Sequence, residues 1–151
     1  MIRCREMLVV FLLFCVSSCR SPEQDHWAAS RSPTLPVSGI IILDGKPVEN
    51  AIILFHSEGH EISAHGLSDA SGFFRLTTYE ENDGAVSGNH LISVKKIEEQ
   101  ITPHPLGDPY SPNVIESWLI PQRYADPKTS ELSWTISAES TEPIIMNLKS
   151  R

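Results

Sequence analysis

Residues 37–56 read VSGIIILDGKPVENAIILFH, and this stretch decides the fold class of the chain. Two apolar runs, residues 37–43 and 51–56, are rich in isoleucine and valine, which favour β-strands. Asp44-Gly45 follows the first run and is typical of two-residue hairpin turns, because both positions of such a turn need a positive φ. The stretch therefore predicts β-strands separated by tight turns.

The rest of the chain repeats this pattern of short strand-like segments between turn signals. Five further strands are predicted, at residues 61–68, 73–79, 88–97, 132–138 and 143–148. Asp69-Ala70-Ser71-Gly72 and Asp83-Gly84 supply turns, and no segment has the 3.6-residue period of a helix. We therefore expect an all-β fold, a seven-stranded β-sandwich with Greek-key-like connections. The expected core consists of Ile40, Ile42, Ile53, Phe55, Phe74, Leu76, Ile92, Val94, Trp134, Ile136, Ile145 and Leu148.

Two stretches do not fit a regular element. Residues 101–119 contain four prolines, and residues 121–130 are also irregular. We expect the first stretch to be a long loop. It carries Tyr110 and Trp118, and exposed aromatic residues on such a loop can form a contact patch. These two residues are the predicted binding residues.

The N-terminal segment has the features of an export signal. Arg3 and Arg5 precede an apolar run at residues 7–16, which is shorter than the roughly 20 residues needed to span a bilayer. Val16-Ser17-Ser18-Cys19 follows and resembles the bacterial lipobox. The resemblance implies cleavage before Cys19 and attachment of acyl chains such as palmitate to it. An ordinary cleaved signal peptide with a chance cysteine is the alternative interpretation.

These features predict three regions in the chain. They are a lipoprotein signal peptide at residues 1–18, a flexible tether at 19–35 that is rich in proline and serine, and a β-sandwich domain at 36–151. The 151 residues allow one domain of this kind but hardly two. All three cysteines, Cys4, Cys15 and Cys19, precede the domain, which excludes a disulfide framework or a cysteine-based zinc site within it.

Charge and motifs limit the chemistry of the domain. The formal net charge of -7 and the lack of a Lys/Arg cluster argue against nucleic acid as a partner. His56, Glu58, His60 and His65 lie close in sequence but have no recognised metal-ligand spacing. The chain also has neither a Gly-x-Ser-x-Gly elbow nor a glycine-rich phosphate loop. We expect a non-enzyme without a cofactor, and the alternative is a metal-dependent or hydrolytic enzyme that uses those four residues.

Four motifs of the domain resemble those of one family. They are residues 36–55, Ser68-Asp69-Ala70-Ser71-Gly72-Phe73-Phe74, residues 83–90 and residues 121–132. Together they resemble carboxypeptidase-regulatory-like, or transthyretin-like (prealbumin-like), β-sandwich domains. The last motif behind a lipobox is similar to small lipoproteins of planctomycete-type bacteria. The resemblance covers roughly residues 36–149 and implies a structural or binding accessory module without shared catalytic residues. The Tyr-Arg-Gly-Ser tail of related purine-breakdown hydrolases is missing, since the chain ends at Asn147-Leu148-Lys149-Ser150-Arg151.

The sequence thus predicts a non-catalytic lipoprotein of the bacterial cell envelope. The lipid on Cys19 would hold it at a membrane, and its partner would be another envelope protein or a polysaccharide. A spacer without a binding role is a further possibility. Arg20 follows the cysteine, whereas aspartate at that position usually marks inner-membrane retention in proteobacteria. By this analogy we expect the outer membrane.

Overall fold

The computed structural model describes residues 30–102, 113–139 and 142–151. The predicted signal peptide, Cys19, most of the predicted tether and Tyr110 lie outside these residues. The fold described below is that of residues 33–151. The strands are β1 (Thr34–Leu35), β2 (Ser38–Leu43), β3 (Lys46–Pro47), β4 (Ile52–Ser57), β5 (Ser63–Leu67), β6 (Phe73–Arg75), β7 (Ala85–Val86), β8 (Gly88–Lys95), β9 (Ile97–Thr102), β10 (Asn113–Trp118), β11 (Leu132–Ile136) and β12 (Ile144–Leu148).

Two larger sheets organise these strands. The first has the order β11-β8-β4-β5, and all of its neighbouring strands are antiparallel. The second is built on β2. On one side β2 pairs in parallel with β12, and on the other side it pairs antiparallel with β3 and β6. Two small sheets, β1-β7 and β10-β9, complete the arrangement, together with a 3₁₀ helix at Gln122–Ala125. The expected all-β class is therefore confirmed.

The hairpin turn predicted at Asp44-Gly45 is confirmed. Asp44 has φ 49 and Gly45 has φ 85, so both turn residues are in the left-handed region that this type of turn requires. Leu43 pairs with Lys46 across it, which connects β2 to β3. The two adjacent residues therefore have the backbone conformation that the sequence pattern predicted.

The core is one buried cluster to which both larger sheets contribute. Phe55 and Ile92 come from the first sheet, and Ile41 and Phe74 come from the second. Two sheets that share one core are consistent with an all-β sandwich. The side chains that are buried in the described residues and that the sequence predicted are Ile53, Phe55, Phe74, Leu76, Ile92, Val94, Ile136 and Leu148.

The predicted core was wrong at both strands of the parallel pair and at β11. Ile41 is buried in β2, whereas Ile40 and Ile42 are only half-buried. Ile145 of β12 is 61% exposed, while its two neighbours in the chain are buried. Trp134 of β11 is 41% exposed. In β2 and β12 the consecutive apolar residues carry no alternation, so the pattern could not show which face is buried.

Two expectations about irregular segments also need correction. Residues 101–119 were expected to be a loop, but residues 97–102 and 113–118 form the antiparallel hairpin β9-β10. The four prolines lie at residues 103–112, between the two strands and outside the described residues. Thr34–Leu35 belongs to the segment expected to be a tether, yet it pairs with Ala85–Val86. The folded unit therefore begins before residue 36.

Candidate functional site

The predicted binding residue Trp118 lies at the end of the β9-β10 hairpin. It pairs with Ile97 across the hairpin, and its ring is half-buried. The Nζ atom of Lys95 lies 5.6 Å from the centre of the ring, which is within the range of a cation–π contact. Tyr110, the other predicted binding residue, is outside the described residues. The structure therefore places Trp118 on a strand rather than on the expected loop.

The hairpin exposes apolar side chains on both of its faces. Ile101 and Val114 are paired on the face that also carries Trp118, and they are 69% and 47% exposed. Between them and Trp118 lies Glu99, directly opposite Glu116. Like charges directly opposite each other on neighbouring strands destabilise the pairing. We call this face, from the Ile97–Trp118 pair to the Ile101–Val114 pair, the hairpin face.

The four residues of the alternative enzyme hypothesis do not form a common site. The Nε2 atom of His56 lies 3.1 Å from the Oγ atom of Ser93, and its Nδ1 atom lies 3.3 Å from the Oγ atom of Ser63. His65 is exposed on the neighbouring strand, and Glu58 and His60 are exposed in the loop that joins the two strands. Within the described ranges, no three His, Cys, Asp or Glu side chains are placed to hold a metal ion.

Sequence reasoning missed a buried histidine. His90 is 1% exposed, and its Nε2–H donates to the carbonyl oxygen of Val86 at 2.9 Å. Its Nδ1 atom and the Oγ atom of Ser57 are buried without a hydrogen-bond partner. Ser57 and His90 are cross-strand partners, so the pair has the residue types of a nucleophile and a base. Because both atoms are closed off from solvent, the geometry gives no support for a catalytic role of the pair.

Two open concavities meet at Arg75 and Asn82. One, of about 380 Å³, lies over β5, β6 and the turn between them, and most of its lining side chains are polar. The other, of about 320 Å³, is bounded by residues 36–38 together with the same Arg75 and Asn82. We call the two together the Arg75 groove. A third cavity, beside Trp134, is about 30 Å³ and has room for only about two water molecules.

Asp69 builds one wall of the Arg75 groove. Its Oδ1 atom accepts hydrogen bonds from the backbone N–H groups of Ser71 at 2.8 Å and Phe73 at 3.0 Å, and from the hydroxyl of Ser71. The side-chain and backbone hydrogen bonds from Ser71 lower the pKa of Asp69 below its ordinary value. The turn interpretation of Asp69 is confirmed, because its carboxylate is used to fix the loop between β5 and β6.

Asp83 fixes the loop that carries Asn82. Its carboxylate accepts hydrogen bonds from the backbone N–H groups of Thr78 at 2.7 Å, Tyr79 at 3.0 Å and Glu80 at 3.2 Å. Burial raises the pKa of Asp83, but these hydrogen bonds outweigh burial, so that the pKa lies below its ordinary value. Both loops that border the groove are therefore held by a carboxylate.

The motif at residues 121–132 has a structural role. Tyr124 is buried, and its hydroxyl accepts the backbone N–H of Lys149 at 3.0 Å. Ser130 is buried as well, and its hydroxyl donates to the carbonyl of Ile92 in β8. The side chain of Asp126 accepts the backbone N–H of Lys128 at 2.8 Å. The motif connects the end of the chain to the first sheet, and these contacts do not create a binding site.

Comparisons with known proteins add no assignment. Family models, the curated proteins and the solved structures were all compared with the chain, and none of the three comparisons finds a match. Within residues 30–102, 113–139 and 142–151, no helix has the length and apolar character that crossing a membrane requires. The candidate sites therefore rest on their geometry alone.

Proposed function

We propose that the chain is a non-catalytic binding module of a bacterial cell envelope, held at the outer membrane by lipid on Cys19. The observation that carries the binding role is the hairpin face. A two-stranded hairpin is marginally stable in water by itself, and this one leaves Ile101 and Val114 of the hairpin face about half exposed or more. Such an exposed apolar surface favours a docked partner. The apolar run before Val16-Ser17-Ser18-Cys19 supports the lipid anchor.

The finer description of the fold belongs to the same proposal. The domain is a Greek-key sandwich of the carboxypeptidase-regulatory-like, or transthyretin-like, kind, as found in small planctomycete-type lipoproteins. Support comes from the four motifs, which resemble those of that family in sequence. Asp44-Gly45 and Asp69–Gly72 form turns, and the segment that contains Tyr124 connects the end of the chain to the first sheet. The proposed partner of this domain is another envelope protein or a polysaccharide.

The alternative, a metal-dependent or hydrolytic enzyme, gains no support from the geometry. Both ring nitrogens of His56 lie within hydrogen-bond distance of serine hydroxyls, which compete with a metal ion for them. His60 is exposed in the loop between β4 and β5, whereas His65 is exposed on β5. Elemental analysis of the purified chain tests this alternative, and a stoichiometric metal would revive it.

Membranes that contain the full chain provide the test of the proposed function. Intact-mass measurement should give a chain that begins at Cys19 and carries acyl chains, and Cys19→Ala should abolish both. Chemical crosslinking in the same membranes, followed by purification of the chain, should capture a specific envelope component. Trp118→Ala and Ile101→Ser should each reduce that capture, because both remove apolar area from the hairpin face.

Trp134→Ala is the matched control, since it removes a partly exposed tryptophan from β11, far along the chain from the hairpin. A mass without lipid would refute the anchor. Equal capture by the Trp118→Ala, Ile101→Ser and Trp134→Ala variants would refute the binding role of the hairpin face. The two parts of the proposal can therefore fail separately.

A further inference from the structure

Arg75 stands at the junction of the two concavities with its hydrogen-bonding capacity unused. It is exposed, and its guanidinium lies 5.3 Å from the ring centre of Phe73. In the part of the chain that the structure describes, it forms neither an ion pair nor a side-chain hydrogen bond. A guanidinium has five N–H donors in a fixed planar arrangement, which suits it to bind two oxygen atoms at once. Stacking on Phe73 holds this group in place without using its donors.

Asn82 provides a second free polar group at the same junction. Its backbone has φ 61, and its N–H donates to the Oγ1 atom of Thr77 at 3.0 Å, so the residue is fixed by its main chain. Its side-chain carboxamide is exposed and has no hydrogen bond to any described residue. A carboxamide offers both donors and an acceptor. Both residues line both concavities, and their side-chain hydrogen-bonding groups have no partner among the described residues.

The charges of the groove are mixed, with one guanidinium and two carboxylates among its lining side chains. Against Arg75 stand Asp69 and Glu81, which line the same concavity together with His65. All three hydrogen bonds to Asp69 end on Oδ1, so its Oδ2 atom remains an available acceptor. The lining thus offers donors and acceptors without a strong excess of either charge. A neutral ligand with many hydroxyl groups matches this mixture better than a polyanion or a polycation does.

The backbone argues against a peptide in this position. An extended peptide usually binds by adding a strand to a free sheet edge. At the edge strand β5, the N–H of His65 donates to the carbonyl of Thr77 at 2.9 Å, and the N–H of Thr77 donates back at 2.8 Å. This part of the edge is already paired. Recognition in the groove must therefore come from side chains, and the exposed Leu67 and half-buried Phe73 add apolar surface for the C–H faces of a sugar ring.

We propose that the Arg75 groove is a binding site for a neutral polysaccharide, with Arg75 and Asn82 bound to hydroxyl groups of adjacent sugar units. Each concavity alone lies at the small end of the range of about 300–1,000 Å³ typical of ligand sites, and the two adjoin. The site is thus suited to a short stretch of a chain that continues into solvent at both ends. This proposal rests on the proposed function, since it names one ligand class for the binding module, but at a surface other than the hairpin face.

Affinity electrophoresis of the full chain in native gels is the test. The gels contain dextran or laminarin as neutral polysaccharides, or alginate as an acidic one. The mobility of the chain in each gel is compared with its mobility in a gel without polysaccharide. Dextran or laminarin should retard the chain. Arg75→Ala should weaken this binding about tenfold, because it removes a charged donor. Asn82→Gly should weaken it about fivefold, because it removes the carboxamide but tolerates the positive φ.

Lys128→Ala is the matched control, since it removes one exposed positive charge in the segment after the 3₁₀ helix and should leave binding unchanged. Urea unfolding of each variant shows whether the fold is kept. Lack of retardation by both neutral polysaccharides would overturn the proposal, as would retardation that survives Arg75→Ala and Asn82→Gly. Retardation by alginate alone would also overturn it and would identify an anion site. If crosslinking still captures a partner through the hairpin face, only the groove proposal has failed.

Discussion

Gly84 and Gly45 have similar left-handed backbone conformations but different surroundings. Their φ values are 93 and 85, a region that side chains other than glycine rarely adopt. A Cβ atom on Gly84 would lie 1.8 Å from the carbonyl oxygen of Leu35, whereas one on Gly45 would have nothing within 4 Å. Gly45→Ala should therefore destabilise the fold by about 1 kcal/mol, and Gly84→Ala by about 3 kcal/mol or more. Urea denaturation of both variants measures the two values.

The difference between these two variants isolates the contact of Gly84 with β1. Leu35 belongs to a two-residue strand, and so short a pairing has no sequence pattern that could predict it. The sequence therefore assigned Leu35 to the tether. If Gly84→Ala costs no more than Gly45→Ala, β1 does not pack against this loop in solution, and the original boundary at residue 36 is restored.

At the scale of elements, strands with a clear turn next to them were predictable. Each of the seven predicted segments overlaps a strand of the structure, namely β2, β4, β5, β6, β8, β11 and β12, but the described residues form twelve strands. The hairpin β9-β10 was missed because its two strands flank four prolines, and the density of proline suggested a loop over the whole stretch. The prolines restrict only the connection, since residues 97–102 and 113–118 contain none.

The Arg75 groove could not be predicted because it is a tertiary feature. In the sequence, Arg75 is an ordinary solvent-facing residue of an alternating strand, and Asn82 is an ordinary loop residue. They become neighbours only when residues 36–38, β5 and the loop after β6 come together. Their local patterns describe exposure and give no indication of what else lies nearby. By contrast, Asp69 and Asp83 were predicted correctly, because a turn is a local structure.

The acidic pair of the hairpin gives a prediction about this element. Glu99 and Glu116 lie directly opposite each other, so Glu99→Lys should turn a repulsive pair into an attractive one. We expect the hairpin to gain about 0.5–1 kcal/mol in its local opening free energy. Hydrogen exchange of the backbone amides of β9 and β10 measures this gain, which should shrink at high salt because the pair is exposed.

Glu98→Lys provides the matched control for the hairpin. It makes the same change of charge one residue away, but Glu98 is on the opposite face and pairs with Ser117. The control should therefore show little of the added protection. Equal protection in the two variants would mean that overall charge, rather than the cross-strand pair, governs the stability of the hairpin. In that case the register of β9 and β10 would also be in question.

At the scale of the whole molecule, three carboxylates fix turns, and one of them, Asp44, also connects two distant parts of the chain. Asp44 accepts the backbone N–H of Ser150 with both oxygens at 3.3 Å, and so ties the β2-β3 turn to the C-terminal residues. The side-chain and backbone hydrogen bonds from Ser150 lower the pKa of Asp44, as those from Ser71 do for Asp69 and the loop amides do for Asp83. The folded state therefore favours the charged form of all three groups.

Stability at acid pH follows from the sign of these shifts. The folded-state pKa values lie below the ordinary value of 3.8, so the stabilisation is fully present above that pH and is lost as the pH falls further, through the folded-state values. The urea midpoint should therefore fall between pH 5 and pH 2 more steeply for the natural chain than for a variant with Asp44→Asn, Asp69→Asn and Asp83→Asn. That variant should be less stable at pH 7, because an amide accepts hydrogen bonds from the same backbone N–H groups more weakly.

High salt in all samples screens the general repulsion of the positive charges at low pH. Parallel curves for the two proteins would show that these three turns do not link the fold to pH, and the stabilisation would then have to come from the apolar core that the two larger sheets share.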